Sequence, residues 1–270
     1  SVGYNASRYF LYDTVNASLG PQTPRDFSPG KYEQLEKTFN FDITRTFDWG
    51  LYYDANVAGG IEWREETFTV IAGDEDSFEI GPLTEQGFSI GSNGFPGFKP
   101  SQAGEFTRRN YAAYIDIETP FTENFLMGWA LRYEDYDSFG TTTNYKVMAQ
   151  YHVTGDLNIR GSVSTGFRAP TVGQANVSNV QTNLSDGVLQ DSALLPPTNP
   201  IAVQLGGTEL EPEESQSYTL GAVYTIGDLF EATFEIMTQL GHLPNIILCV
   251  VGTAALYFCG KVAVTEKNIC

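Results

Sequence analysis

The fold is decided by residues 111–168, which read YAAYIDIETPFTENFLMGWALRYEDYDSFGTTTNYKVMAQYHVTGDLNIRGSVSTGFR. Through four consecutive segments of this stretch, apolar side chains fall mostly at odd positions and polar or small ones mostly at even positions. A period of two is typical of β-strands that have one apolar and one polar face. The linkers between the segments, at 119–124, 138–142 and 154–156, are short enough to join antiparallel neighbours. The stretch therefore predicts an antiparallel meander of hairpins.

The side chains on the two faces indicate what surrounds this sheet. The apolar face carries aromatic residues near the strand ends, namely Phe125, Tyr133, Tyr145, Tyr151 and Phe167, and the other face carries charges of both signs. An outward apolar band with aromatic ends and a polar inner face is typical of a transmembrane β-barrel. Segments such as 125–136 also reach the roughly 9–11 residues that a tilted spanning strand needs. A soluble all-β domain with one wet face is the alternative.

The same alternation extends to both sides of the central stretch. It predicts further strands at 3–17, 33–46, 51–71, 214–226 and 230–236, so that the chain forms an all-β, up-and-down sheet of about nine strands. Two long loops, rich in Gly or in Asn, Ser, Thr and Pro, interrupt the pattern at 72–105 and 169–213. Outer-membrane barrels have short periplasmic turns and longer external loops. We therefore expect both long loops on the extracellular side.

Composition and charge restrict the function classes. The 270 residues include 15 Lys and Arg against 33 Asp and Glu, which gives a net charge of −18. This balance argues against nucleic-acid binding, because phosphate contacts need a surplus of cations. The chain starts at Ser1 without a signal peptide, and its first residues resemble the middle of a strand, so we expect a piece of a longer protein.

Two motifs in the right order carry a family resemblance. Residues 161–171, GSVSTGFRAPT, and residues 210–221, LEPEESQSYTLG, resemble the strand-to-loop and loop-to-strand junctions of TonB-dependent outer-membrane receptors. The segments NASLG at 16–20 and VAGGIEWREE at 57–66 are also similar to receptors of this type. The resemblance covers about residues 1–236. It implies the C-terminal part of a plugged barrel of about 22 strands, which the predicted strands are too few to close.

The resemblance also implies partners and a location. The partners are outer-membrane lipid, an unknown small ligand, and a TonB-type energy-transducing protein that acts through a plug domain absent from this chain. The location is a bacterial outer membrane. Neither an enzyme activity nor a cofactor is predicted, and no metal site is, because the three cysteines lack the spacing of metal ligands.

Candidate site residues come from one loop and from the polar face. Phe88, Asn93, Phe95 and Phe98 lie among glycines in the first long loop, where a Gly and aromatic segment can fold over a ligand or can simply pack. Arg132, Arg160 and Arg168 occupy even positions and are expected to face the barrel lumen. For Arg168, an ion pair or a hydrogen bond at the strand end is favoured over contact with a ligand.

Residues 237–270 depart from the barrel pattern and form a separate, atypical segment beside the barrel part at 1–236. Alternation ends at Ile236, and Cys249, Cys259 and Cys270 follow a stretch without cysteine. A frameshifted or chimeric reading frame is the favoured interpretation, and we then expect the chain to leave the sheet soon after Ile236. An apolar strand pair turning at 251–253 is the second interpretation. A membrane helix is the third, because the apolar run is shorter than the roughly 20 residues of a helical span.

Three functions are compatible with these patterns. The first is part of an active importer that captures a scarce ligand at its extracellular loops with TonB-coupled energy. The second is a passive porin or a structural barrel, and the third is an outer-membrane hydrolase. His152 and His242 are the only histidines, and neither has a readable nucleophile partner, which ranks the hydrolase last.

Overall fold

The computed structural model describes residues 1–185, 188–226, 230–240, 245–252 and 256–263. Thirteen strands contain most of these residues. They are β1 Val2–Arg8, β2 Gly30–Phe47, β3 Ala55–Ala72, β4 Gly104–Thr122, β5 Phe125–Tyr136, β6 Gly140–His152, β7 Leu157–Arg168, β8 Asn179–Ser185, β9 Val188–Leu194, β10 Glu213–Ile226, β11 Phe230–Leu240, β12 Asn245–Gly252 and β13 Leu256–Ala263. Two short α-helices, α1 Val172–Asn176 and α2 Pro200–Gln204, and four 3-10 helices lie in the connections.

Eleven of the strands form one sheet in which spatial order follows chain order. The order is β1-β2-β3-β4-β5-β6-β7-β10-β11-β12-β13, while β8 and β9 pair separately as a hairpin between β7 and β10. The pairings are antiparallel, for example between β4 and β5, β5 and β6, and β7 and β10. Among the described strands β1 and β13 stand at the two ends, so the sheet is an open part of an up-and-down barrel. The predicted fold class is confirmed.

The alternation in residues 111–168 produces the expected two-faced sheet. On the odd side Tyr111 is 59% exposed and Leu131 is 47% exposed, whereas Ala112 and Glu134 on the even side are buried. The register pairs Leu131 with Ile115 and Glu134 with Ala112, so each face is continuous from strand to strand. In β10 the apolar residues that stay exposed are at even positions, because the β7–β10 register pairs Tyr218 with Val163.

Phe167 departs from the outward placement that its parity predicts. The β6–β7 pairing ends at Lys146 and Ser164, and beyond it the backbone N–H of Tyr145 donates to the Thr165 side-chain oxygen at 3.0 Å. This hydrogen bond to a side chain interrupts the ladder, and the half-buried ring of Phe167 lies edge-on to the buried Tyr136, 5.9 Å between centroids.

The chain differs from the sequence prediction at both ends of the sheet. β1 ends at Arg8 rather than near residue 17. Beyond it only an isolated bridge between Leu11 and Phe27 is formed, and Asp13 has a positive φ of 52°, which does not fit a strand. At the other end β11 continues to Leu240, and β12 and β13 pair with the sheet instead of leaving it. Continuous apolar runs rich in Ile and Val form strands without alternating, and these residues form a strand pair as in the second interpretation. The turn expected at 251–253 differs, because Val251 and Gly252 belong to β12, and residue 253 lies outside the described residues. The origin of residues 237–270, native or frameshifted, stays a prediction.

The described chain divides into two compact units. The first, called here the loop unit, consists of Ser1–Phe39, Arg64–Arg109 and Pro170–Glu211. It contains the connections 9–29 and 73–103, most of 169–212, and the strand segments that adjoin them. The second, called here the strand unit, consists of Asn40–Trp63, Asn110–Ala169 and Pro212–Cys270. It contains the central meander and the short turns 48–54, 123–124 and 153–156. No helix among the described residues is long and apolar enough to cross a membrane.

Candidate functional site

The loops of the loop unit are fastened to one another by Asn16 and Ser18. Asn16 is fully buried, and its Nδ2 donates to the carbonyl oxygens of Asp76 and Glu79, both at 2.9 Å. The Ser18 hydroxyl donates to Asn16 Oδ1 at 2.7 Å and accepts from the N–H of Gly81 at 3.0 Å. We call this arrangement the Asn16 clamp. It holds the connection 9–29 against the connection 73–103.

Gly81 is required by the close approach of the two backbones in the clamp. A Cβ atom at position 81 would lie 2.2 Å from the carbonyl oxygen of Ser18 and 2.3 Å from its carbonyl carbon. Both of these neighbours are backbone atoms that cannot turn aside as a flexible side chain could. The segment NASLG at 16–20, one of the segments that carries the family resemblance, therefore has a structural explanation: it binds one loop to another.

An aromatic cluster joins the clamped loops to β2 and β3. Tyr9 stacks on Phe95 with 4.8 Å between ring centroids, Phe95 meets Phe98 edge-on at 5.3 Å, and Phe98 packs on Tyr32 at 4.7 Å. Tyr32 in turn stacks on Phe68 at 5.4 Å. Aromatic pairs with this geometry stabilise by about 0.5–1.5 kcal/mol each beyond their burial. The cluster fixes the connections 9–29 and 73–103 on the ends of β2 and β3.

The candidate ligand residues therefore divide into two groups. Phe98 is only 1% exposed, which favours the packing alternative, and its contact with a ligand stays a prediction. Phe95 is half-buried against Tyr9 and Phe98, so packing is favoured for this residue as well. Phe88 is 45% exposed, and Asn93 is exposed, with its backbone bonded to Val15 and Thr14. Contact of Phe88 and Asn93 with a ligand stays a prediction.

A nearly buried ion pair anchors the start of the third long connection. The guanidinium of Arg108 donates to Glu66 Oε2 through Nη2 at 2.5 Å and through Nε at 3.1 Å, with the two side chains 10% and 17% exposed. A third donor, Nη1, bonds to the carbonyl oxygen of Pro170. Thr171 then caps α1, accepting from the N–H of Gln174 at 3.1 Å. The family-like RAPT sequence at 168–171 is thus the point at which the chain leaves β7 and is held.

A small cavity lies beside this anchor. It has a volume of about 130 Å³ and is lined by Glu66 and Phe68 and by residues 171–173 at the start of α1. Pockets for small molecules usually measure about 300–1,000 Å³, so this cavity has room for a few water molecules and not for a nutrient-sized ligand. The described residues hold no cluster of His, Cys, Asp or Glu that could bind a metal ion.

The second and third long connections also touch each other directly. Lys99, at the end of the loop 73–103, donates from Nζ to the side-chain hydroxyl of Thr182 in β8 at 2.9 Å. With the Asn16 clamp and the Arg108 anchor, this bond joins all three connections within one unit. The two loops that we predicted to share one side are thus in contact, and their extracellular location stays a prediction.

The predicted lumen arginines have different surroundings in the strand unit. The Nε of Arg132 donates to Glu134, and its Nη2 lies 3.3 Å from Glu62 Oε2. Glu134 also accepts from Asn110 and from the Tyr136 hydroxyl, both at 2.8 Å. Arg132 therefore belongs to a network of ion pairs and hydrogen bonds on the even face, and its side chain is half-buried.

Arg160 and Arg168 are both exposed. Arg168 lies opposite Glu213 in the β7–β10 register, and Arg160 lies opposite Gly221. Sequence reasoning missed Asn16, Ser18, Glu66 and Arg108, which hold the connections of the loop unit. The family-like NASLG and RAPT segments indicated that these positions matter. They did not indicate which side chains form the contacts there.

Comparison with known proteins decides the family. The family model for the TonB dependent receptor-like β-barrel matches residues 1–235. The chain belongs to the TonB-dependent receptors. A curated relative of this receptor chain, the vitamin B12 transporter BtuB of Photobacterium profundum, is 27% identical over 120 residues, which is 44% of the chain and 16% of the transporter.

Solved structures agree with the fold. The siderophore receptor PirA of Acinetobacter baumannii matches 96% of this chain with a TM-score of 0.55 and 16% identity, and the chain covers 36% of it. The ferric enterobactin receptor PfeA of Pseudomonas aeruginosa, in its G324V variant, matches 93% with a TM-score of 0.59 and 13% identity, and the chain covers 37% of it. The receptor chain thus spans well under half the length of these relatives. TonB-dependent receptors lie in the bacterial outer membrane, and this location is assigned to the chain.

Proposed function

We propose that this chain forms the part of an active outer-membrane importer that captures a scarce small ligand at its extracellular loops. The family imports ligands across the outer membrane. The observation that carries the proposal is the union of three long connections into one compact unit. Compact domains rarely carry such long loops unless the loops have a function.

The exposed residues of the loop 73–103 are the proposed ligand contacts. Phe88 and Asn93 stand on a backbone that the Asn16 clamp fixes, so they would meet a ligand without first having to be ordered. The relatives suggest the kind of ligand: one is named for vitamin B12 and another for ferric enterobactin. We propose a compound of this class, taken up with energy from a TonB-type protein that acts through a plug domain.

Uptake by cells that make the complete receptor containing this chain tests the proposal. Labelled vitamin B12 and ferric enterobactin should be offered separately to cells with and without TonB. We expect accumulation of one of them only where TonB is present. Equal entry without TonB would support a passive barrel instead.

Binding to whole cells tests the proposed contacts. Phe88→Ala and Asn93→Ala should weaken binding of the accumulated compound, because each removes an exposed side chain from the clamped loop. Ile80→Ala is the matched control, since Ile80 is 47% exposed in the same loop. If Phe88→Ala and Asn93→Ala bind the compound as tightly as wild type and Ile80→Ala do, the ligand contacts lie elsewhere.

A further inference from the structure

The hairpin of β8 and β9 stands apart from the main sheet. It is a sheet of two strands within the loop unit, and its register runs without a shift from the pair Asn179 and Leu194 to the pair Ser185 and Val188. Among the described residues, each of its strands has only the other as a strand neighbour. A hairpin of two strands is marginally stable in water, and a third strand stabilises such a sheet.

The two strands of this hairpin have different surroundings. β8 is attached to the loop 73–103 by the hydrogen bond from Lys99 to Thr182. In β9, Val188 is 60% and Leu194 62% exposed, and the neighbours Leu189 and Ala193 are exposed too. Because successive residues of a strand point to opposite faces, β9 is uncovered on both faces. We call the side of β9 that points away from β8 the open edge.

The length of the connection shows which backbone groups the open edge offers. Ser185 and Val188 are register partners separated by two residues, so they exchange the hydrogen bonds nearest to the turn. Bonded and non-bonded pairs alternate along antiparallel strands. The N–H groups of Leu189, Asp191 and Ala193 therefore point away from β8, where an extended chain could accept from them.

The open edge lacks the features that usually prevent strand addition. Exposed edges are commonly protected by Lys, by Pro or by a bulge. The sequence of β9, VLQDSAL, contains neither Lys nor Pro, and its pairing with β8 has no bulge. An unprotected edge of this kind is a template for another strand.

Charge and exposed apolar side chains restrict what that strand can be. The connection 169–212 contains four carboxylates and no Lys or Arg; the acidic residues are Asp186, Asp191, Glu209 and Glu211. Beyond β9, Ile201 in α2 is 59% exposed and Leu205 at its end 85%, and their spacing of four places them on one face. A second copy of this connection would bring like charges together. A strand with basic and aliphatic side chains complements it.

We propose that the open edge binds an extended peptide that carries Lys or Arg together with aliphatic side chains. The peptide adds a third strand to the hairpin, with main-chain hydrogen bonds giving affinity and side chains giving specificity. The carboxylates of the connection favour basic peptides, and salt weakens this attraction. The site goes beyond the proposed function, since its contacts lie on β9 rather than at Phe88 and Asn93.

The test is the affinity of fluorescent peptides for the purified complete receptor in a non-ionic detergent, with empty micelles as the blank. The probe is a short peptide of alternating Lys and Val. A matched peptide is N-methylated at two adjacent central residues, so that neither of its edges can donate there. We expect the methylated peptide to bind about tenfold more weakly, because strand addition needs these hydrogen bonds. Equal affinity of the two peptides, or no binding of the probe, would overturn the proposal.

Receptor variants at one position test the open edge itself. Ala193→Pro removes an outward N–H, and Pro is accepted in edge strands where the N–H faces solvent. We expect the probe to bind this variant about fivefold more weakly. Ala193→Val changes the same side chain, keeps the N–H and should bind as wild type does. Heat-modifiable electrophoresis reports whether each variant is folded, and the methylated peptide tests the edge in wild type if Ala193→Pro is not. Equal affinity of two folded variants would contradict strand addition at β9.

Two further outcomes would also overturn the proposal. A peptide of alternating Glu and Val should bind about tenfold more weakly than the probe at low salt, and equal binding would contradict the preference for basic peptides. A receptor dimer that Ala193→Pro abolishes, seen by light scattering, would mean that a second copy covers the edge. Binding to the purified receptor needs no TonB, so its failure leaves the uptake test of the proposed function unaffected, and the reverse also holds.

Discussion

Arg108 is a cation with little access to water, held by the Glu66 carboxylate and by the carbonyl oxygen of Pro170. Taking such a charge out of water is unfavourable unless its partner is present, and removal of one partner leaves the other buried without compensation. The ion pair therefore matters more for the path of the chain than for the free energy of folding. The chain leaves β7 along a path that keeps the Pro170 carbonyl oxygen within reach of Arg108.

Glu66→Gln is expected to destabilise the receptor strongly. The substitution keeps the shape of the side chain but removes its charge, leaving Arg108 nearly buried and unneutralised, and loss of one partner of a buried pair costs about 3–5 kcal/mol. Denaturant unfolding of the receptor in detergent measures this loss. The control Asp13→Asn breaks a pair whose side chains are 80% and 70% exposed, and exposed pairs contribute about 0–1 kcal/mol. Equal losses in the two variants would contradict the anchor role.

Asn16→Asp is expected to open the clamp with little change in size. A carboxylate has no N–H to donate to the carbonyl oxygens of Asp76 and Glu79, and each buried group left unpaired costs about 1–3 kcal/mol. The loop 73–103 should then become sensitive to proteases, which limited digestion followed by mass mapping detects. Asn93→Asp makes the same chemical change at an exposed position in that loop and should leave the digestion pattern as in wild type.

The strands were predictable where one of their faces is apolar and the other polar. Leu131 and Arg132 are neighbours in the chain that belong to opposite faces, and such contrasts repeated along β2 to β7 and β10 give the elements and most of their bounds. The hairpin of β8 and β9 carries polar residues such as Gln181, Asn183 and Gln190, so it was expected as loop. The Asn16 clamp joins residues 60 and 63 positions apart, and no local pattern reports such a contact.

Cysteine labelling tests the two faces of β5. In the complete receptor, Leu131→Cys should resist a membrane-impermeant reagent, because its odd face contacts lipid, while Arg132→Cys should react from the water-filled side. Correspondingly, Leu131→Arg should cost about 2–4 kcal/mol if the position lies near the bilayer midplane. Similar labelling of positions 131 and 132 would contradict the assignment of the faces.

The register of β12 and β13 makes a prediction about the cysteines. Cys249 and Cys259 are direct partners on these antiparallel strands, and partners of this kind have Cα atoms about 4.5–5.5 Å apart, within the range that a disulfide spans. In chain exported to an oxidising compartment, a disulfide-donating oxidant should join them, leaving Cys270 to be alkylated. Counting thiols by the mass added with a maleimide polymer, with and without reduction, gives the answer. Three reactive thiols before reduction would favour a segment that does not pair.

At the scale of the whole molecule, the sheet order determines how the chain behaves alone. Among the described strands, β1 and β13 each have a neighbour on one side only. Unpaired strand edges are templates for association, and the membrane interior offers no water to satisfy their backbone groups. The sheet therefore needs further strands of a complete barrel to become stable in lipid.

The 270-residue chain alone is expected to aggregate when it is refolded in detergent, whereas the complete receptor should fold. Unheated electrophoresis distinguishes the two, since a closed barrel migrates as a compact species that shifts on heating. The comparison uses the same detergent and the same protein concentration for both proteins. A compact, heat-modifiable form of the isolated chain would show that its edges are satisfied without further strands.

The Asn16 clamp has a consequence for the timing of ligand capture. Because its hydrogen bonds join two connections that are distant in sequence, thermal motion must displace both together as one rigid body. A ligand that settles on this surface then freezes little additional chain, so less conformational entropy opposes its binding. The same coupling predicts fast capture at the proposed contacts Phe88 and Asn93, because the loop that carries them does not have to be ordered before a ligand can dock.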